Sequence, residues 1–338
     1  MDAATAPAAI AATVAVHHGL GTWAPSTKPN TRPPSRVSPA CHRKQKHFLT
    51  PSENRGSCET VGLSAGHPLR KRVISEDNHV FNRTLREVLF SPYYRAHPLE
   101  VLRLGYAKLV FSRHRLTDPR DFLAKSLGLD LTGALAGFER WKPKLEGVVS
   151  SVRKEPGRQG GVSLEDGIIL YGITRALRPQ RVIETGVAAG VSTSFIGAAL
   201  VENQQGTLFS IELPPAQSAS THHLDGGVFA WPKKGVGWAI PDEIRQGLGS
   251  RHVLILGDVR SELPRLVADL PSVEMFLHDD LHTPNHMLWE YELVWAHLSA
   301  GGVLISDDAN FGWLQFCRKH QLNPNAYLNV QRLTAIRK

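Results

Sequence analysis

Cysteine is scarce in this chain: Cys41, Cys58 and Cys317 are the only three in 338 residues. They are too few and too scattered for a disulfide framework or a four-ligand zinc site. No stretch approaches the roughly 18 consecutive apolar residues that span a bilayer. The alanine-rich start, Met1 to Val16, carries Asp2 where a secretion signal places Lys or Arg. A cytoplasmic protein without a membrane partner is expected; the few acids before Glu53 leave a transit peptide as the alternative. A phosphate loop ending in Gly-Lys-Ser/Thr is missing, and so is the Gly-x-Gly-x-x-Gly of dinucleotide sites. Basic clusters on folded elements, interleaved with stacking aromatics, are missing too. The net charge is +8, but residues 1–80 hold ten Lys/Arg against five Asp/Glu, which leaves the remainder nearly balanced. No nucleic-acid partner is expected, and Arg70-Lys71-Arg72 reads as a solvated tether.

What is present falls into three parts. Residues 1–78 are basic and proline-rich, with Pro33-Pro34 and no sustained periodicity, and are expected to be a disordered tail. Residues 79–160 carry helical patterns, among them Leu131 to Val149. Residues 161–338 alternate short apolar runs with amphipathic stretches, the signature of an α/β domain with a mostly parallel sheet. Strands are expected at 180–185, 207–212, 252–257, 273–278 and 302–307, with helices at 193–203, 239–248, 261–269, 285–298 and 311–320. Residues 326–337 read as final strand material, antiparallel at the sheet edge. Ser163-Leu-Glu-Asp166 has the form of a helix start. In the helix at 285–298, Met287, Leu288, Tyr291, Val294, Trp295 and Leu298 form a core stripe that leaves Trp289 outside it.

Residues 181–192 carry the most chemistry. Val182 and Ile183 suit a buried parallel strand, Glu184 follows, and Gly186 and Gly190 allow a tight turn onto which a ligand can lay bare backbone. Ser192 or Thr193 is expected to cap the next helix. Two later apolar runs also end in acids, at Glu212 and Asp258, and in such sheets ligands bind where strand ends converge. Asp258 alternatively caps the helix that begins near Ser261.

In this order of motifs the chain resembles the class I S-adenosylmethionine-dependent methyltransferases over roughly residues 163–338, with their Glu-x-Gly-x-x-x-Gly, a second-strand acid and a third-strand Gly-Asp. The resemblance implies a doubly wound, Rossmann-like sheet of the seven-stranded type, with S-adenosylmethionine as cofactor. It places Gly186 and Gly190 at the methionine moiety, Glu184 near its amino group, Ser192 at the same pocket, Glu212 on the ribose and Asp258 facing the adenine. It also implies that the N-terminal helical segment shapes an acceptor pocket, with a packing cap or a homo-oligomer surface as the alternative.

Val273-Glu-Met-Phe-Leu-His-Asp-Asp-Leu-His282 and Gly301-Gly-Val-Leu-Ile-Ser-Asp-Asp308 both end in paired acids. Asp279, Asp307 and Asp308 from neighbouring strand ends form an oxygen set suited to Mg²⁺ or Ca²⁺. The segment is similar to bacterial metal-dependent antibiotic and sugar O-methyltransferases, in which those positions hold the ion. Here Pro284 stands where a tyrosine is usual, and no lysine base is evident. His282 is the preferred base because imidazole titrates near neutrality. Asp279 lies beside it in the expected catalytic and cofactor-binding set, and His278 and Asp280 are rivals. The expected activity is methyl transfer to a small-molecule hydroxyl, with a nicotinamide-dependent oxidoreductase or a non-catalytic cofactor-binding protein as alternatives. His222-His223, in the loop 213–238, is a poor metal site; the loop itself reads as a lid or plain surface.

Overall fold

The computed structural model describes residues 92–116, 118–129, 133–155, 160–213, 234–328 and 332–338. The expected tail, the Arg70-Lys71-Arg72 run, Cys41, Cys58 and His222-His223 lie outside them, and so does most of the loop 213–238.

Helices α1 (Pro92–Ala96), α2 (Pro98–Arg113), α3 (Pro119–Leu127) and α4 (Phe138–Lys154) precede the sheet domain, with the two-residue strand β1 (Arg115–Leu116) after α2. Then come α5 (Leu164–Leu177), β2 (Arg181–Thr185), α6 (Val191–Asn203), β3 (Thr207–Glu212), α7 (Asp242–Leu248), β4 (His252–Leu256) and α8 (Val259–Asp269). The chain ends with β5 (Val273–His278), α9 (Pro284–His297), β6 (Leu298–Ser306), α10 (Phe311–His320), β7 (Ala326–Leu328) and β8 (Arg332–Arg337).

The strands form one sheet in the order β1-β7-β8-β6-β5-β2-β3-β4. β4, β3, β2, β5 and β6 are parallel, and β8 runs antiparallel between β6 and β7. This is the expected doubly wound sheet, with β1 as an eighth strand. β8 is not at the edge, where it was expected, because β7 and β1 pair beyond it. The order reverses between β2 and β5, whose C-terminal ends flank the crevice where ligands bind in such sheets.

Both faces are covered. Phe195, Leu200, Ile169 and Trp141 belong to one fully buried cluster and Phe276, Tyr291, Trp313 and Phe111 to the other. Each such side chain contributes roughly 1.5–3 kcal/mol by leaving water. The N-terminal helices divide between the faces: α3 and α4 join the first cluster, α2 the second. As expected, Met287, Tyr291 and Val294 turn the α9 stripe into core.

The bounds of α4 and α7 depart from expectation, and β6 begins at Leu298 rather than at 302. α4 begins at Phe138 rather than Leu131, because Gly133 and Gly137 weaken the intervening turns as helix. α7 begins at Asp242 rather than 239, because residues 237–239 bond to the glycine loop instead: Gly237 N–H donates to the Ala188 carbonyl at 2.8 Å and Ala239 N–H to that of Ala189 at 2.9 Å. As the edge strand β4 leaves Val253, Leu254 and Leu256 exposed. No described helix is long and apolar enough to cross a membrane.

Candidate active site

The C-terminal ends of β2, β3, β5 and β6 are tied together by backbone bonds that continue past the strands. Gly186 N–H donates to the Ile211 carbonyl at 3.0 Å, Asp279 N–H to Thr185 at 2.9 Å and Asp307 N–H to His278 at 2.9 Å. The sequence-expected acids Glu184, Glu212, Asp279 and Asp307 all stand on this one edge.

The loop after β2 makes three left-handed turns, at Gly186 (φ 83°), Ala188 (φ 48°) and Gly190 (φ 91°). A Cβ on Gly186 would overlap the Asp279 carbonyl, and one on Gly190 would lie 2.5 Å from Ile240 Cγ1. Both glycines therefore let protein segments approach the loop, a tighter constraint than the ligand access expected of them. Between them, Val187 N–H and Ala188 N–H converge on Glu212 Oε2 at 2.7 and 2.6 Å, while Leu213 N–H reaches Oε1 at 2.8 Å. A carboxylate has about four acceptor positions, so this acid fixes the loop and keeps capacity for a further donor. Burial pushes its pKa up to about 7, with Asp280 adding to the rise, against the three amide donors.

Glu184 turns inward. It is fully buried and accepts from Ser192 Oγ at 2.5 Å, Thr193 Oγ1 at 2.8 Å and Ser210 Oγ at 2.9 Å. Burial raises its pKa, and the three hydroxyls oppose that. The expectation that Ser192 or Thr193 caps α6 is corrected. The cap position is Gly190 in a left-handed turn, and both hydroxyls lie inside the helix, where a buried acid needs donors more than the helix end does. Asp258 is exposed and caps α8, accepting from Arg260 N–H at 2.8 Å.

Across the crevice, Asp279, His282 and Asp307 each place one donor atom within 4.8 Å of the others. His282 Nε2 lies 3.9 Å from Asp279 Oδ1, and the His282 carbonyl is held by Asn310 Nδ2 at 2.8 Å. Asp307 is buried, and its Oδ1 has no hydrogen-bond partner. Burial, then the neighbouring carboxylates, drives Asp279 and Asp307 well above the usual carboxylate range. Asp308, at φ 46°, adds its charge from nearby but is not part of the compact donor group; His282 stands in its place. Two carboxylates that repel across a buried gap, one with an unpartnered oxygen, fit a divalent cation.

The rivals His278 and Asp280 belong to a second cluster, as the alternation of side chains along a strand requires. His278 Nδ1 lies 2.6 Å from Glu290 Oε2 and 3.1 Å from Asp280 Oδ1. Burial works against its charged form, yet Glu290 and Asp280 outweigh that and lift it to about 10. Glu290 and His286 escaped the sequence reading. The signal was their i, i+4 spacing on the buried stripe of α9, where an acid beside Met287 and Tyr291 needs a partner.

Residues 183–309 match the protein family described as "Methyltransferase domain". The match covers 127 of the 338 residues, from β2 to the turn after β6. Among solved structures the methyltransferase domain is similar to PaMTH1 of Podospora anserina, bound to S-adenosylhomocysteine (15% identity, 58% of this chain and 88% of that one, TM-score 0.41). It is also similar to the O-methyltransferase TomG of Streptomyces achromogenes in complex with S-adenosylmethionine (16% identity, 58% and 89%, TM-score 0.39). A Bacillus cereus O-methyltransferase in complex with S-adenosylhomocysteine is a third (13% identity, 58% and 91%, TM-score 0.41). No curated protein matches the chain.

Proposed function

We propose that the methyltransferase domain methylates a hydroxyl group of a small molecule, with a divalent cation held by Asp279 and Asp307. The observation that carries this reading is the buried pair of repelling carboxylates within reach of the His282 imidazole, across the same crevice from the glycine loop. In this reading Glu212 accepts from the ribose with its remaining capacity, and the 186–190 backbone lies along the methionine moiety. Asp258 stands at the adenine end. Glu184 and Ser192 act indirectly, holding the loop in shape.

The acceptor oxygen attacks the methyl carbon, the carbon–sulfur bond breaks with its electron pair left on sulfur, and the hydroxyl proton passes to His282 Nε2. Alignment supplies most of the rate and the imidazole a further 10²–10⁴-fold. A bound Mg²⁺ would lower the pKa of the acceptor hydroxyl and fix its position. Asp308 is the third candidate for that ion, although it stands apart from the compact donor group. The protein is proposed to work in the cytoplasm, without nucleic-acid or membrane partners, either alone or as a homo-oligomer.

The test is S-adenosylhomocysteine release with a panel of sugar, phenol, polyketide and lipid hydroxyls, with Mg²⁺ and with chelator. Turnover that Mg²⁺ restores after chelation supports the proposal; turnover indifferent to chelation removes the cation from it.

A further inference from the structure

His278, Asp280 and Glu290 place one donor atom each within 4.8 Å of one another, a set that shares no residue with the Asp279–His282–Asp307 group although the His278 and His282 rings are 5.3 Å apart. His278 and Glu290 are fully buried, and Asp280 is partly exposed, with 18% of its side chain open to solvent. We infer that these three residues form a second metal site, for a borderline transition ion such as Zn²⁺ rather than Mg²⁺.

The geometry argues for an ion where hydrogen bonds alone serve the cluster poorly. His278 Nδ1 faces two carboxylates, at 2.6 and 3.1 Å, but one N–H points along one line and serves only one of them well. Glu290 Oε1 is wholly buried and has near it only His286 Nε2, at 3.3 Å, a nitrogen that lies closer to Asp280 Oδ2, at 3.0 Å, so this oxygen is poorly served. Burying such an acceptor costs about 1–3 kcal/mol. An ion about 2.0–2.2 Å from each donor would engage both carboxylates at once, with donors roughly 3.3 Å apart. To reach that spacing the Asp280 contact, at 3.1 Å, opens slightly, and the Glu290 contact, at 2.6 Å, opens by about 0.7 Å.

The surroundings are those of ligands held from behind. Thr185 Oγ1 donates to Glu290 Oε2 at 3.0 Å, and His286 Nε2 lies 3.0 Å from Asp280 Oδ2. Arg260 Nε donates to His286 Nδ1 at 3.2 Å, which requires a lone pair there, so the His286 proton sits on Nε2 and braces Asp280. Arg260 is itself stacked over the Trp289 ring at 4.1 Å. Such outer partners orient metal ligands. One imidazole among two carboxylates selects a transition ion over Mg²⁺, which prefers oxygen and retains its water. The site does not depend on the methyltransferase reading, because it would bind the ion with neither donor nor acceptor present.

The test is titration of the metal-stripped full-length chain with Co²⁺, read by its visible spectrum and by equilibrium dialysis, then competition with Zn²⁺. With excess Mg²⁺ present to fill the position proposed on Asp279 and Asp307, the expected result is one tight equivalent, weakened at least 100-fold in Glu290→Gln and in Asp280→Asn, retained in Asp307→Asn and displaced by Zn²⁺. Three outcomes overturn the inference: no binding to the wild type, unchanged binding in both cluster variants, or loss only in Asp307→Asn. Should Glu290→Gln fail to fold, Asp280→Asn at its more exposed position decides alone. Methyl transfer plays no part in the readout, so failure here leaves the proposed function standing.

Discussion

Gly186 lies against the carbonyl of Asp279 so closely that no side chain fits between them. The first turn after β2 and the first acid after β5 are thereby locked into one unit, and the crevice inherits its width from a missing Cβ. Gly186→Ala is predicted to force that backbone apart while imposing φ 83° on an L side chain. A loss of about 2–3 kcal/mol in urea unfolding is expected, together with at least tenfold weaker S-adenosylhomocysteine binding by calorimetry. Binding that survives unchanged would show that the loop is not part of the cofactor site.

Glu212 gives the clearest pH signature. Its carboxyl is raised from 4.5 to about 7 by burial, so the fold favours the protonated form. The stabilisation this supplies is full below pH 4.5 and is lost as pH rises through about 7. Glu212→Gln carries no such loss. The variant is predicted to gain on the wild type between pH 5 and pH 8 by on the order of 2 kcal/mol, measured by denaturant unfolding at each pH. A difference that stays constant with pH would mean that Glu212 is not the titrating group.

Asp279 and Asp307 repel each other across the sheet edge. With Asp307 neutralised as Asn, Asp279 loses its strongest neighbouring charge. Asp307→Asn is predicted to unfold about 1–2 kcal/mol later in metal-free buffer at pH 8, and to lose methyl transfer. A variant that is both less stable and fully active would contradict the assigned role.

His282→Ala is predicted to lower kcat by 10²–10⁴-fold and to leave the dissociation constant of the methyl donor within a factor of three. Stopped turnover with a weakened donor site would instead indicate a structural role for the ring.

Much of this was readable in advance because the sheet obeys short-range rules. Apolar runs ending in Glu184, Glu212, Asp258 and Asp279 placed the strand ends, and the parallel order then put Glu184, Glu212, Asp279 and Asp307 on one edge. Partnering was not readable, since a hydrogen bond depends on what the fold brings alongside. Ser192 reads as a cap until Glu184 is seen buried beside it. Glu290 reads as one more helical acid until His278 and Thr185 converge on it. Gly190 reads as an opening for a ligand until Ile240 is found against it.

The central claim is that this sheet edge binds a methyl donor. Calorimetric titration of the purified chain with S-adenosylmethionine, with NADH as control and Glu212→Ala alongside, tests it most directly. Saturable binding of S-adenosylmethionine, none of NADH, and at least tenfold weaker binding in the variant are expected. Binding of NADH in preference, or of neither, would contradict it.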